Sequence, residues 1–175
     1  MEAMEAMEAI LSRRSIRKYT LEAVSQKLID KLLAAAMSAP SAGNEQPWQF
    51  LVINDRSILA EVPNYHPFSK MVPEASVAIL VCGDLSLEKT KLGSWAQDCL
   101  AAVENILIAA RAYGLGVVWL GVYPIKERMD GMRKLCGLPQ NVMPLALVPV
   151  GYPAEEKPPA NRYDPSRIHY NLWSA

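Results

Sequence analysis

The strongest constraint on the fold is the run SVAILVC at residues 76–82. It is strand-length and apolar throughout, with no polar alternation. That pattern predicts a central strand buried on both faces. Such a strand needs a covering layer on each side. The remaining segments can supply them. Apolar positions Leu28, Ile29, Leu32, Leu33 and Ala36 recur at helical spacing within 21–37, which ends at Ser38-Ala39-Pro40 because proline cannot continue a helix. Shorter helices are expected at 57–62, after the Asn54-Asp55 cap, and at 125–136. Strands are expected at 49–53, 117–120 and 143–150, the last with Pro144 and Pro149 marking an edge or irregular ends. The elements predict a mixed α/β or α+β domain of three layers over residues 1–175, its core at about 10–152 and its C-terminal arm at 153–175.

The segment 95–113 is the longest expected helix. Its polar residues Gln97, Asp98, Glu104, Asn105 and Arg111 form one narrow stripe on an otherwise apolar cylinder. A dimer interface or a central core position would each account for so much apolar surface. After Gly151 the chain turns proline-rich and polar and ends with Tyr170 and Trp173, a tail that should lie against its own domain or a partner. The N-terminal MEAMEAMEAIL favours helix, with Met4, Met7 and Leu11 on one face.

Composition removes several function classes. Lys+Arg and Asp+Glu both number 18, so the formal net charge is +0. A general nucleic-acid or membrane-surface binder would carry a basic excess. No apolar run reaches the ~20 residues needed to span a bilayer. Cys82, Cys99 and Cys136 are widely spaced and, without a signal peptide, read as reduced buried thiols of a cytoplasmic protein. His66 and His169 make no zinc pattern with them, so no metal is expected.

Two stretches carry chemistry. In SRRSIRKYT, the cations Arg13, Arg14, Arg17 and Lys18 crowd around Ser15. Guanidinium forks and a hydroxyl suit a phosphate, although a solvated basic turn would have the same composition. In SAPSAGNEQPWQF, at 38–50, small and amide side chains precede a core strand. Such a loop lets its backbone approach something flat or charged. Tyr65, His66 and Phe68 fall in an irregular stretch, 63–73, suited to a lid or to a hydrophobic plug. No GxGxxG, GxxxxGK[ST] or GxSxG motif occurs, no pair of carboxylates stands out, and no cysteine neighbours an activating base. An enzyme built this way would leave its chemistry to a cofactor.

Taken together, RRSIRKYT, SAPSAGNEQPWQFLVI, YGLGVVWLGVYP, GLPQNVMPLALVPVGYP and RYDPSRIHYNLW resemble the FMN-dependent nitroreductase family, in its order and over nearly the whole chain. The resemblance implies an α+β, three-layer fold with a mixed, mostly antiparallel central sheet and an extended C-terminal tail. It implies that Arg13, Arg14, Ser15 and Arg17 hold the FMN phosphate and ribityl chain, joined by Arg167 and less directly by Arg162. Pro40, Ser41, Ala42, Asn44 and Gln46 would lie against the flavin of the opposite subunit. Trp119, Leu120 and Gly121 would line the ring, and Phe68 and Lys70 lie near further flavin or substrate contacts.

The implied protein is a homodimer with FMN at the subunit interface, and no side chain acts as nucleophile. It would pass a hydride from NAD(P)H through flavin N5 to a nitroaromatic, quinone or similar acceptor by a ping-pong mechanism. Relatives also include dehalogenating, flavin-fragmenting and ferredoxin-linked enzymes, and a non-catalytic FMN-binding protein would share the same motifs. The connection 83–93 is too short for the helical excursion that roofs the site in larger members, which implies a minimal member with a more open site.

Overall fold

The 76–82 run lies in β2 (Val77–Asp84), interior to a five-stranded sheet in a computed structural model that describes residues 4–173. The sheet order is β1 (Trp48–Ile53), β2, β5 (Val142–Gly151), then β3 (Gly116–Val117) and β4 (Leu120–Gly121), which both pair with β5. Every strand pair is antiparallel. The one parallel pairing among the described residues is an isolated bridge between Ser15 and Val117.

Strand periodicity sorts β2 between two cores. Val77, Ile79 and Val81 face a layer made of α2 (Gln26–Met37) and α4 (Trp95–Ala112). Ala78, Leu80 and Cys82 face Leu59 of α3 (Arg56–Glu61) and Met132 of α5 (Lys126–Cys136). This is the three-layer α+β arrangement, built around a strand that is buried along nearly its whole length.

Three local expectations need correction, the first in part. Of the two readings of Pro144 and Pro149, the edge fails, because β5 is the strand to which β2, β3 and β4 all pair, and the irregularity holds. The sheet accommodates them instead. Pro149 falls where the expected strand 117–120 breaks at Val118-Trp119, so no partner there requires its missing N–H. Pro144 stands beside the register shift between Val81 and Cys82. Secondly, α2 starts at Gln26, where the Ser25 hydroxyl accepts the Leu28 N–H, and residues before it are extended. Thirdly, α1 (Ala6–Ser12) buries Ala9 and leaves Met7 and Leu11 exposed, so the expected apolar face points to solvent. The opening of that expected helix, residues 1–3, lies outside the described residues.

Four of the five polar residues of the α4 stripe meet neighbouring segments. Asn105 donates to the Ala35 carbonyl of α2 (3.0 Å), Arg111 to the Ser12 hydroxyl (2.8 Å), and Glu104 pairs with Arg13 (3.5 Å). Asp98 is buried and accepts the Ala42 N–H (2.9 Å). The helix thus packs between the sheet, α2 and α1. Beyond Pro153 the tail runs exposed, with Tyr163, Tyr170, Leu172 and Trp173 largely in solvent. No helix among the described residues is long and apolar enough to cross a membrane.

Candidate functional site

The basic motif is extended rather than turned. Ile16 donates to the Val117 carbonyl (2.9 Å), and Ala154 and Thr20 tie the segment to the start of the tail. An extended chain advances about 3.3 Å per residue, so Arg13 and Arg17 stand roughly 13 Å apart. They serve two different clefts.

The first cleft, of about 480 Å³, is lined by Arg17, Lys70 and Arg128, with Phe68, Trp119, Leu120 and Gly121 among its walls. Three cations and no carboxylate line it. The second, about 360 Å³, takes Arg13 and Arg14 together with Arg111, Lys157, Glu155 and Glu156. Arg14 is largely committed there. It donates to the carbonyls of Pro158 (2.8 Å) and Leu11 (3.3 Å), and its buried Nη2 has no acceptor. Ser15 offers its carbonyl to Lys157 (2.5 Å), and the Arg17 N–H goes to Glu155 (2.6 Å).

Trp119, Leu120 and Gly121 therefore line the same cleft as Arg17. The loop 40–46 does not join them in one chain. It precedes β1, at the opposite edge of the sheet, three strand spacings or roughly 14 Å from β4. The loop is tightly built. Gly43, Asn44 and Gln46 all take positive φ, at 57°, 54° and 51°. The Ser41 hydroxyl accepts the Gln46 N–H (3.0 Å), and the Asn44 side chain accepts from Gln46 Nε2 (2.8 Å). Buried Glu45 turns away from the tip to accept the N–H groups of Lys89 and Thr90, both at 3.0 Å. Pro40, Asn44 and Gln46 are left exposed. Arg167 lies in the tail turn Pro165–Arg167, paired with Asp164 (3.1 Å), and shares a surface hollow with Arg162 away from both clefts.

Three residues of the first cleft were not legible as a group in the sequence. His66 and Arg128 both reach the Gly121 carbonyl, at 2.9 and 2.8 Å. Phe68, two-thirds exposed, stands under the Arg128 guanidinium at 5.5 Å. The 63–73 stretch packs Tyr65 on Gly131, as a plug would, and leaves Phe68 outside. Burial and, less strongly, the Arg128 charge hold the His66 pKa below 6.5, partly offset by the bond to Gly121. A carbonyl can only accept, so His66 Nε2 carries the proton and Nδ1 is free to accept the Phe68 N–H (3.3 Å).

Comparison with known proteins decides the family. The nitroreductase family model matches residues 10–152. This chain belongs to the nitroreductase family. A Methanothermobacter thermautotrophicus protein with the provisional name NADH dehydrogenase/NAD(P)H nitroreductase is 50% identical over 170 residues, covering 97% of this chain and 88% of its own length. An Archaeoglobus fulgidus protein of the same provisional name is 49% identical, covering 97% and 99%. Among solved structures, one so named from Parabacteroides distasonis superposes with a TM-score of 0.92 at 42% identity, over 96% and 98% of the two chains. An FMN-dependent nitroreductase from Clostridium difficile superposes at 0.88 with 27% identity, over 95% and 99%. Membership of this family makes the protein an oxidoreductase.

Proposed function

We propose that this nitroreductase-family protein is an FMN-dependent NAD(P)H oxidoreductase that reduces a small planar acceptor, such as a nitroaromatic or a quinone, and works as a homodimer. The observation that carries this is the first cleft, where three cations and no carboxylate line a space with aromatic and aliphatic walls. Such a lining favours a flat group that gains negative charge as it is reduced. The residues present fit FMN. Arg17 and Lys70 would hold the electron-rich edge of the ring, and Trp119, Leu120 and Gly121 would flank it. Arg13, Arg14 and Ser15 lie along the extended segment toward the second cleft, where the buried Arg14 Nη2 lacks an acceptor and could meet a phosphate oxygen. Arg167 would approach from the tail.

Bound FMN supplies hydride acceptance from the nicotinamide and hydride donation to the acceptor, so no nucleophile of the chain is required. The chain's own work is binding and positioning. Trp119 and Phe68 would flank the bound ring, and Arg17 and Lys70 would offset developing charge. NAD(P)H and the acceptor would use the same opening in turn. The loop carrying Pro40, Ser41, Ala42, Asn44 and Gln46, at the far sheet edge, would cover the partner subunit's cleft.

Incubation with FMN followed by desalting should leave a yellow protein, bleached by NADH or NADPH in stopped flow. A colourless protein would overturn the cofactor assignment, and a yellow one bleached by neither would overturn the donor. Arg17→Ala should weaken FMN binding at least about tenfold by loss of a charge-assisted contact. Light scattering should give near twice 19.3 kDa.

A further inference from the structure

The contacts around Gly121 form a closed circuit. Its carbonyl accepts from His66 Nε2–H (2.9 Å) and from Arg128 Nη1–H (2.8 Å). His66 Nδ1 accepts the Phe68 N–H (3.3 Å), and the Phe68 ring lies against the Arg128 guanidinium, whose Cζ is 5.5 Å from the ring centroid. Three separate elements meet here: the turn at 66–69, strand β4 and helix α5. The turn is itself closed by Ser69, whose N–H and hydroxyl both donate to the His66 carbonyl, at 3.1 and 2.7 Å. On the far side of the same peptide unit, the Val122 N–H bonds Leu145 in β5 (3.0 Å). The 121–122 peptide is therefore held at both edges.

This expense of donors on one carbonyl has a consequence for the cleft. An uncapped carbonyl there would present its negative end to a site otherwise lined by cations. With two donors on it, one of them charged, that end is neutralised and the 119–121 wall is held still. The same two side chains fix the position of Phe68, through its backbone N–H and through its ring. Wall and roof are thus coupled by two residues that need not touch the substrate.

We infer that His66 and Arg128 are positioning residues, which clamp the Gly121 carbonyl and thereby set both the 119–121 wall and the Phe68 roof of the acceptor opening. The inference rests on the flavin reading of the first cleft. It assigns acceptor selectivity to a short circuit of this chain.

The test uses FMN-loaded wild type, His66→Leu, His66→Gln, Arg128→Met, Arg128→Lys, Phe68→Ala and the Phe68→Ala/Arg128→Met double variant. The acceptors are p-benzoquinone and the wider menadione, and the flavin midpoint potential is measured by dye titration. His66→Leu and Arg128→Met should change the menadione-to-benzoquinone ratio of kcat/KM at least about threefold. Glutamine, which can restore a donor to the carbonyl, should recover part of the His66 effect, and lysine part of the Arg128 effect. Arg128→Met should also move the midpoint potential to a more negative value, a readout that a purely structural residue leaves in place. The double variant should show less than the product of its single effects, because both break one circuit. Selectivity and potential unchanged in Arg128→Met and Phe68→Ala would overturn the inference. Those two residues are partly or largely exposed, so the test survives even if the buried His66 variants fail to fold. Wild type that does not retain FMN would instead sink the flavin reading, which keeps the two failures distinct.

Discussion

Gly131→Ala should destabilise the protein although it improves helix propensity. Gly131 is buried in α5, and a Cβ built on it would lie 2.6 Å from Tyr65 Cδ1, 2.7 Å from its Cβ and 2.8 Å from its Cγ. Rotating the ring relieves the first contact but not the second, because Tyr65 Cβ is fixed to the backbone. That backbone is held by the Tyr65 N–H on the Val62 carbonyl (3.0 Å). Reaching an ordinary carbon–carbon separation of about 3.5–4.0 Å requires α5 and the 62–66 turn to part by roughly 1 Å. Overpacking of this kind costs about 1–3 kcal/mol. Replacing a helical glycine by alanine returns up to about 1 kcal/mol.

The net expectation is a loss of about 1–2 kcal/mol, or about 2–8 °C in Tm for a chain of this size. The displacement would also move Arg128, three residues earlier on α5, away from the Gly121 carbonyl. Acceptor selectivity should shift in the same direction as in Arg128→Met. Thermal melts by circular dichroism on Gly131→Ala, Tyr65→Ala and the double variant test the reasoning. The double should be less destabilised than the sum of the singles, since the clash is removed with the ring. A Gly131→Ala protein that melts at or above the wild-type temperature would show that propensity outweighs the contact and would refute the argument.

Other outcomes follow from the same geometry. Asp98→Ala removes the acceptor for the Ala42 N–H and should cost about 1–3 kcal/mol, with faster amide exchange confined to residues 41–46. His66 should make the protein acid-sensitive. Its folded pKa lies below 6.5, so the unfolded state protonates first and stability falls as pH drops through 6.5, by at most about 1.4 kcal/mol per pH unit until the folded value is passed. Denaturation midpoints measured from pH 7.5 to 5 should show that slope in wild type and lose it in His66→Gln. Burial pushes Cys82 and Cys99 up to about 12 and Cys136 up to about 11. At pH 8 the native protein should react only slowly with a disulfide reagent and release all three thiols in guanidinium. Fast labelling of Cys99 or of Cys82 would mark an opening of the first or the second core.

Much of the fold was legible because its signals are local. The apolar run of β2 needs only its own residues to announce a strand buried on both faces, and α4 announces itself by a period repeated over five turns. The prolines of β5 left an edge and an irregular strand both open, because proline reports the missing donor, whereas the edge depends on which strands arrive. Here β3 and β4 leave a gap at Val118-Trp119 where Pro149 needs no partner. The apolar surface of α4 left a dimer interface and a core position equally open in the sequence, and only the structure shows Asn105, Arg111 and Asp98 bonded to α2, the N-terminal segment and the 40–46 loop.

By itself the sequence determined which residues are candidates for the site: a row of cations at Arg13, Arg14 and Arg17 and a loop of small and amide residues at 40–46. Those follow from residue chemistry and short-range spacing. Only the tertiary structure decided how they are distributed. An extended backbone sends Arg17 and Arg13 to different clefts, and strand order puts the loop at the sheet edge opposite Trp119. Burial and the sheet's register bring His66, 55 residues away in sequence, onto the same carbonyl as Arg128. Such a meeting leaves no periodic trace in the chain, because contacts between distant segments are set by packing rather than by the residues beside them.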